Sequence, residues 1–168
     1  MLDIEFLKKF QIFEGLSDAQ IKKIRTMMTQ VDYPGGSVII RDGDLGEEMY
    51  VLLDGEVEIT KQMVMKFGGE VASSREKSLI RLSSKFHACF GEMSLCEERS
   101  ERSATVSTAT ACKLAVLKRV DFSKLADEDP AMGFIVFRNL ARIISDRLKR
   151  ANKDLLKLTT AFVLAVEK

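Results

Sequence analysis

An α+β fold, with a β-rich middle set between short N-terminal helices and one long C-terminal helix, is what the patterning of this chain predicts. Three observations carry that reading. Ser17 and Gln20 stand at capping-box spacing ahead of Ile21, Ile24 and Met28, which recur on one helical face. Between Val38 and Leu117, short runs rich in Val, Ile, Leu and Tyr are broken by Asp42-Gly43, Asp54-Gly55 and Gly68-Gly69. From Pro130 to Lys168 a helical pattern runs with only Gly133 to interrupt it, near its start.

Each element has a local cause. Leu16 and Ile21 are placed to staple the entry of the first amphipathic helix, and Tyr33-Pro34-Gly35-Gly36 stops it, because proline disfavours helix at the residue before it. The Asp-Gly and Gly-Gly pairs are hairpin signals, since glycine accepts the positive φ of tight turns. Several short strands punctuated this way suggest a sandwich or a jelly-roll barrel. Residues from Gly68 to Ser84 are polar and basic by turns and read as a long hairpin or loop. A short helix from Asp121 through Ala126 leads to Pro130, which suits the first turn of the next helix. There Phe137, Leu140, Ile144, Leu148, Ala151, Leu155, Leu158, Phe162 and Ala165 recur at spacings of three and four and draw a heptad-like stripe. A two-stranded coiled coil between two protomers would bury the stripe. Alternatively the helix folds back on its own domain, with Thr159 to Val166 packed on it or disordered. The chain divides into a domain over residues 1–130 and a long helix over 131–168.

Composition bounds the function. A chain of 168 residues with 46% hydrophobic content can bury one core, and 26 Lys and Arg against 25 Asp and Glu provide no global field for nucleic acid or anionic membrane. The Met-Leu-Asp start lacks a basic region followed by an apolar stretch, and no apolar run is long enough to span a bilayer, so a cytoplasmic protein is expected. Cys89, Cys96 and Cys112 show no C-x-x-C spacing and imply neither a disulfide framework nor a zinc site. His87, the only histidine, has Cys89 nearby, but two candidate ligands fall short of a zinc set, and a loop or pocket-rim role is expected instead. Without a nucleophile elbow, a Walker loop or a second histidine, catalysis is not expected.

The most informative segment is FGEMSLCEERSERSATV, from Phe90 to Val106. It sets a Gly-Glu turn at the start of a short helix and an Arg-Ser pair at the start of a strand. A carboxylate can accept from sugar hydroxyls, a guanidinium can hold two phosphate oxygens, and free amides at a helix start face an anion. Together they suit a small molecule carrying both a hydroxyl and a phosphodiester. Upstream, RDGDLGEEMYVLLDGEVEI from Arg41 to Ile59 adds a Gly-Asp turn, an aromatic-bearing strand and a second glycine.

These two segments resemble the signatures of the cyclic-nucleotide-binding domain family, the first its phosphate-binding cassette. The likeness covers most of the first 130 residues and continues into the long helix. It narrows the middle to a cyclic-nucleotide-binding β-roll. It implies that Arg102, Ser103 and the amides after Gly91, including that of Met93, hold a cyclic phosphate, while Glu92 accepts from the ribose 2′-hydroxyl. Ser94 and Ala104 contribute through their backbone. Aligned with the family's long helix, Ala151 and Asn152 fall near the positions that close over the purine, and the Asn152 amide can both donate and accept. Gly43, Asp44, Tyr50 and Gly55 are expected to shape turns and pack the roll. Where the family has a glycine-bearing turn before Phe90-Gly91-Glu92, this chain reads Lys85-Phe86-His87-Ala88-Cys89 and departs from the pattern.

The expected function is that of a regulatory or sensor module for cyclic AMP, or cyclic GMP, with no cofactor and no metal. It would signal through its C-terminal helix as a homodimer to an output protein that the sequence does not name. No helix-turn-helix follows the long helix, so direct DNA binding is not expected; the chain reads as a sensor domain without its output domain, or a piece of a longer protein. The reading from a different class is a degenerate roll that acts as a structural or interaction module and binds no nucleotide.

Overall fold

The computed structural model of the chain describes residues 2–67, 70–98 and 101–166. Short helices α1 (Ile4–Leu7) and α2 (Asp18–Met27) precede eight strands: β1 (Thr29–Tyr33), β2 (Val38–Ile40), β3 (Glu48–Asp54), β4 (Glu56–Phe67), β5 (Glu70–Ser83), β6 (Cys89–Phe90), β7 (Thr105–Thr108) and β8 (Cys112–Lys118). Helices α3 (Arg119–Glu128) and α4 (Pro130–Val166) follow. The strands form two antiparallel four-stranded sheets, ordered β1-β8-β3-β6 and β2-β7-β4-β5, which is the β-roll the sequence leads one to expect.

Strand β3 shows why the roll takes this form. Successive side chains of a strand point to opposite faces, and in Met-Tyr-Val-Leu both faces are buried. Met49 and Val51 join a core with Phe10, Phe13, Ile21, Phe122 and Met132, under the helices. Tyr50 and Leu52 join Ile40, Val57, Phe90 and Val106 between the sheets. Fully burying such a side chain contributes ~1.5–3 kcal/mol, so the sheet of β3 is fixed by two cores at once.

Helix α2 begins with the capping box foreseen from Ser17 and Gln20. It ends at Met27, however, and Thr29–Tyr33 is a strand rather than helix up to the proline. Thr29, Val31 and Tyr33 are β-formers on alternate positions, and pairing with β8 from Thr29↔Val116 to Tyr33↔Cys112 draws them into the sheet. The segment read as a hairpin or loop is mostly strand β5, paired to β4 from Glu56↔Ser83 to Phe67↔Glu70. The expected turn at Gly68-Gly69 lies outside the described residues.

The loop that lacks the family's glycine finds another solution. His87 itself adopts a left-handed backbone, φ 50°, the one non-glycine residue to do so among those described. Its ring packs 5.7 Å from Phe6 and 5.4 Å from Phe10, centroid to centroid. Tertiary contact to the N-terminal helices thus holds a conformation that glycine would reach without strain.

Helix α4 is continuous over 37 residues. Met132, Val136, Leu140 and Ile143 are buried in the helix-side core, and every described residue from Asp146 onward is exposed. The alternative of a distal segment folded back on its own domain is therefore not what the structure shows: Thr159 to Val166 continue as exposed helix. Among the described residues no helix is long and apolar enough to cross a membrane.

Candidate functional site

The segment singled out in the sequence wraps one cavity of about 100 Å³ at the end of the roll. Gly91 carries φ 69°, a turn that glycine accepts at little cost, and it swings the chain from β6 into a short 3₁₀ turn, Glu92–Leu95. The expected residues Gly91, Glu92, Met93, Ser94, Arg102, Ser103 and Ala104 all line the cavity, joined by Ile40, Ile59 and Val106 from the roll. Asn152 does not. It lies exposed on α4, outside this lining.

Arg102 is buried, with 8% of its surface exposed. Its backbone is pinned to the β2–β3 loop, donating to the Asp44 carbonyl and accepting from the Gly43 amide, both at 2.8 Å. Its guanidinium donates to the carbonyls of Gly91 and Glu48 at 3.3 and 2.9 Å, and to the Glu48 carboxylate at 3.4 Å. Glu48 is thus the acidic partner, in place of the neighbouring glutamates that sequence proximity would suggest. Gly46 provides the space: a Cβ there would fall 1.9 Å from Arg102 Nε. Sequence reasoning missed both residues as site components, although both lie inside the segment quoted for its glycines.

Glu92 is 1% exposed. One carboxylate oxygen accepts from Arg147 of α4, and the other, Oε2, is buried without a hydrogen-bond partner. Buried polar atoms are almost always satisfied, so this oxygen is an acceptor site awaiting a donor. Arg147 also donates to the Cys89 carbonyl at 3.3 Å, closing the cavity with a residue from the long helix. No motif marks Arg147; it is one of many basic residues on a helix.

The remaining polar groups are mainly supports. Ser94 Oγ donates to the Gly91 carbonyl at 2.7 Å and is fully buried. The Ser103 carbonyl accepts from Lys61 at 2.8 Å, and Lys61 also pairs with Asp42, which fastens the β2–β3 loop to the cassette. The first amides of a helical turn have no partner within it, which leaves those of Glu92 and Met93 at the cavity wall. Tyr50 packs inside the roll as expected, stacked on Phe90 with centroids 5.1 Å apart. Burial, followed by the Glu92 charge, pushes the Cys89 thiol up to about 12, so it stays protonated beside the site. The arrangement offers one buried cation, one buried anion with a spare lone pair and a short turn of amides. It can hold an anion and a hydroxyl together.

The chain is similar to known proteins over most of its length. Residues 30–129 match the cyclic nucleotide-binding domain family. A cyclic AMP receptor protein of Thermus thermophilus is 30% identical over 149 residues, covering 89% of this chain and 62% of that protein. A cGMP-dependent protein kinase of Caenorhabditis briggsae is 30% identical over 122 residues, covering 73% of this chain and 15% of the kinase. The chain thus spans less than two thirds of either relative. The crystal structure of the Thermus thermophilus catabolite activator protein superposes with a TM-score of 0.72 at 29% identity, covering 89% of this chain and 63% of that one.

Proposed function

We propose that this chain, which belongs to the cyclic nucleotide-binding domain family, is a regulatory sensor module that binds cyclic AMP, with cyclic GMP as the competing ligand, and signals through α4. The observation that carries the reading is the Glu92 carboxylate: buried, with Oε2 lacking a donor, in the cavity where Arg102 presents a buried guanidinium. A ribose 2′-hydroxyl supplies the missing donor. Arg102, Ser103 and the amides of Glu92 and Met93 take the cyclic phosphate, because a planar guanidinium matches two phosphate oxygens at once.

Signalling follows from Arg147. It ties α4 to Glu92, so a ligand that engages Glu92 changes the group holding the helix. The shift this produces is set by the ligand's differential affinity for the two helix positions. The apolar stripe of α4 is exposed from Leu148 to Phe162, and a second copy of the chain in a two-stranded coiled coil covers it. In that arrangement Asn152 reads the purine edge; unchanged discrimination between cyclic AMP and cyclic GMP in Asn152→Ala would remove that role. The module works in the cytoplasm, passes its signal to an output protein and needs neither metal nor catalytic step of its own.

One observation favours the reading without a nucleotide. Both binding groups already hold internal partners, Arg102 with Glu48 and Glu92 with Arg147, as befits a roll kept for its surface. A thermal-shift panel separates the two. The sensor reading expects cyclic AMP and cyclic GMP to raise the melting temperature and linear AMP to leave it unchanged. No shift with either cyclic nucleotide at millimolar concentration would favour the interaction module.

A further inference from the structure

Tyr50 and Glu48, which lie close to the cassette, also line a second cavity of about 370 Å³. Its floor is apolar and aromatic, built from Val31, Tyr33, Tyr50 and Val116 on β1, β3 and β8. Its lining charges are Glu48, Asp121 and Lys118, two carboxylates against one ammonium, and Glu48 is also paired with the Arg102 guanidinium. The Tyr50 phenol is pushed above its ordinary value of 10.0, first by burial and then by the Glu48 charge, with the Arg102 guanidinium opposing. A cation here would have two carboxylates and two tyrosines in the lining, and aromatic rings can attract cations in their own right. The size falls in the range of ~300–1,000 Å³ that small-molecule sites occupy.

We propose that this cavity is a binding site for a small organic cation, a primary ammonium on an apolar or aromatic body, distinct from the nucleotide site but sharing Glu48 with it. The sharing is direct, since Glu48 accepts from Arg102 through both its carbonyl and its carboxylate. A bound ammonium therefore competes with Arg102 for one carboxylate. Tyr50 lines this cavity and also approaches the cassette, its ring 3.4 Å from where a Cβ on Gly91 would stand.

The test titrates the nucleotide-free protein with three probes of similar body and different charge: phenethylamine, 2-phenylethanol and 3-phenylpropionate. Amide resonances are followed by NMR. Saturable shifts at Thr29, Val31, Val116 and Lys118 are expected with the amine, with binding about tenfold weaker for the alcohol, since a hydrogen bond to a charged group exceeds a neutral one. The carboxylate probe should not bind there. The Arg102 Nε–H resonance should move with the amine, as Glu48 is drawn away. Asp121→Asn and Tyr33→Ala should each weaken amine binding at unchanged circular dichroism; two variants on different elements guard against one that fails to fold. Equal binding of amine and carboxylate, shifts confined to Gly91–Ala104, or no saturable shift would overturn the proposal. Because no nucleotide is present, the outcome is independent of whether the cassette binds cyclic AMP.

Discussion

Arg102 is positioned by space as much as by charge, and Gly46 is the residue that leaves that space. An added methyl there would meet Nε, Cζ and Nη2 at 1.9 to 2.3 Å, well inside contact distance, and Gly46 is not among the glycines with positive φ. Gly46→Ala is therefore expected to fold normally while displacing the guanidinium. Nucleotide affinity should fall by roughly two orders of magnitude, approaching the loss on deleting the guanidinium partner of a buried charge, ~3–5 kcal/mol. Calorimetric titration with circular dichroism as a control checks this; full affinity in Gly46→Ala would show that Arg102 binds elsewhere. At this scale the sequence is legible where partners are local. Glu92 and Arg102 announce themselves by their spacing within one segment. Glu48 and Arg147 do not, because each meets its partner across a sequence separation of 54 or 55 residues. Glu48 reads as one acid among several in a turn, and Arg147 as one cation among several on a helix.

Among the elements, α4 depends on its first turn. Asp129 accepts from the Met132 amide at 3.0 Å and from Gln20 of α2 at 3.1 Å, so one carboxylate caps the long helix and ties it to the N-terminal one. These bonds, the Met132 amide first, hold its carboxyl below the ordinary 3.8. A depressed folded value means the stabilisation is present above the unfolded value and is lost as pH falls through the folded one. Asp129→Ala should therefore melt below wild type at neutral pH, and the gap should close as pH drops below 3.8. A gap independent of pH would assign the cap to something other than the ionised carboxyl. Element boundaries show where local patterns yield to tertiary ones. The capping box of α2 was readable because Ser17 and Gln20 satisfy each other within one turn. The strand after it was not, because its partner β8 lies far along the chain (Thr29↔Val116, Tyr33↔Cys112). Gly133, seen in sequence as an interruption, instead lets α4 approach α3: a Cβ there would stand 2.9 Å from that of Ala126.

The molecule as a whole joins a roll, a cassette and a helix that continues well past the domain. Leu148, Leu155, Leu158 and Phe162 are each about 60% or more exposed, at 59, 63, 64 and 69%. Such a stripe on a monomer is a surface for association. The chain should sediment as a dimer, and Leu148→Glu combined with Leu155→Glu should yield monomers, because each buried charge would lack a partner. A wild-type monomer at high concentration would remove the seam. If the cassette works as a joint anion and sugar site, Arg102 contributes most. Calorimetric titration of wild type, Arg102→Ala and Glu92→Ala with cyclic AMP tests it most directly. Wild type should bind saturably, Arg102→Ala should lose roughly two to three orders of magnitude in affinity, and Glu92→Ala should lose less, ~1.5–3 kcal/mol for a hydrogen bond to a charged group. Wild-type protein that binds neither cyclic AMP nor cyclic GMP at millimolar ligand would contradict it.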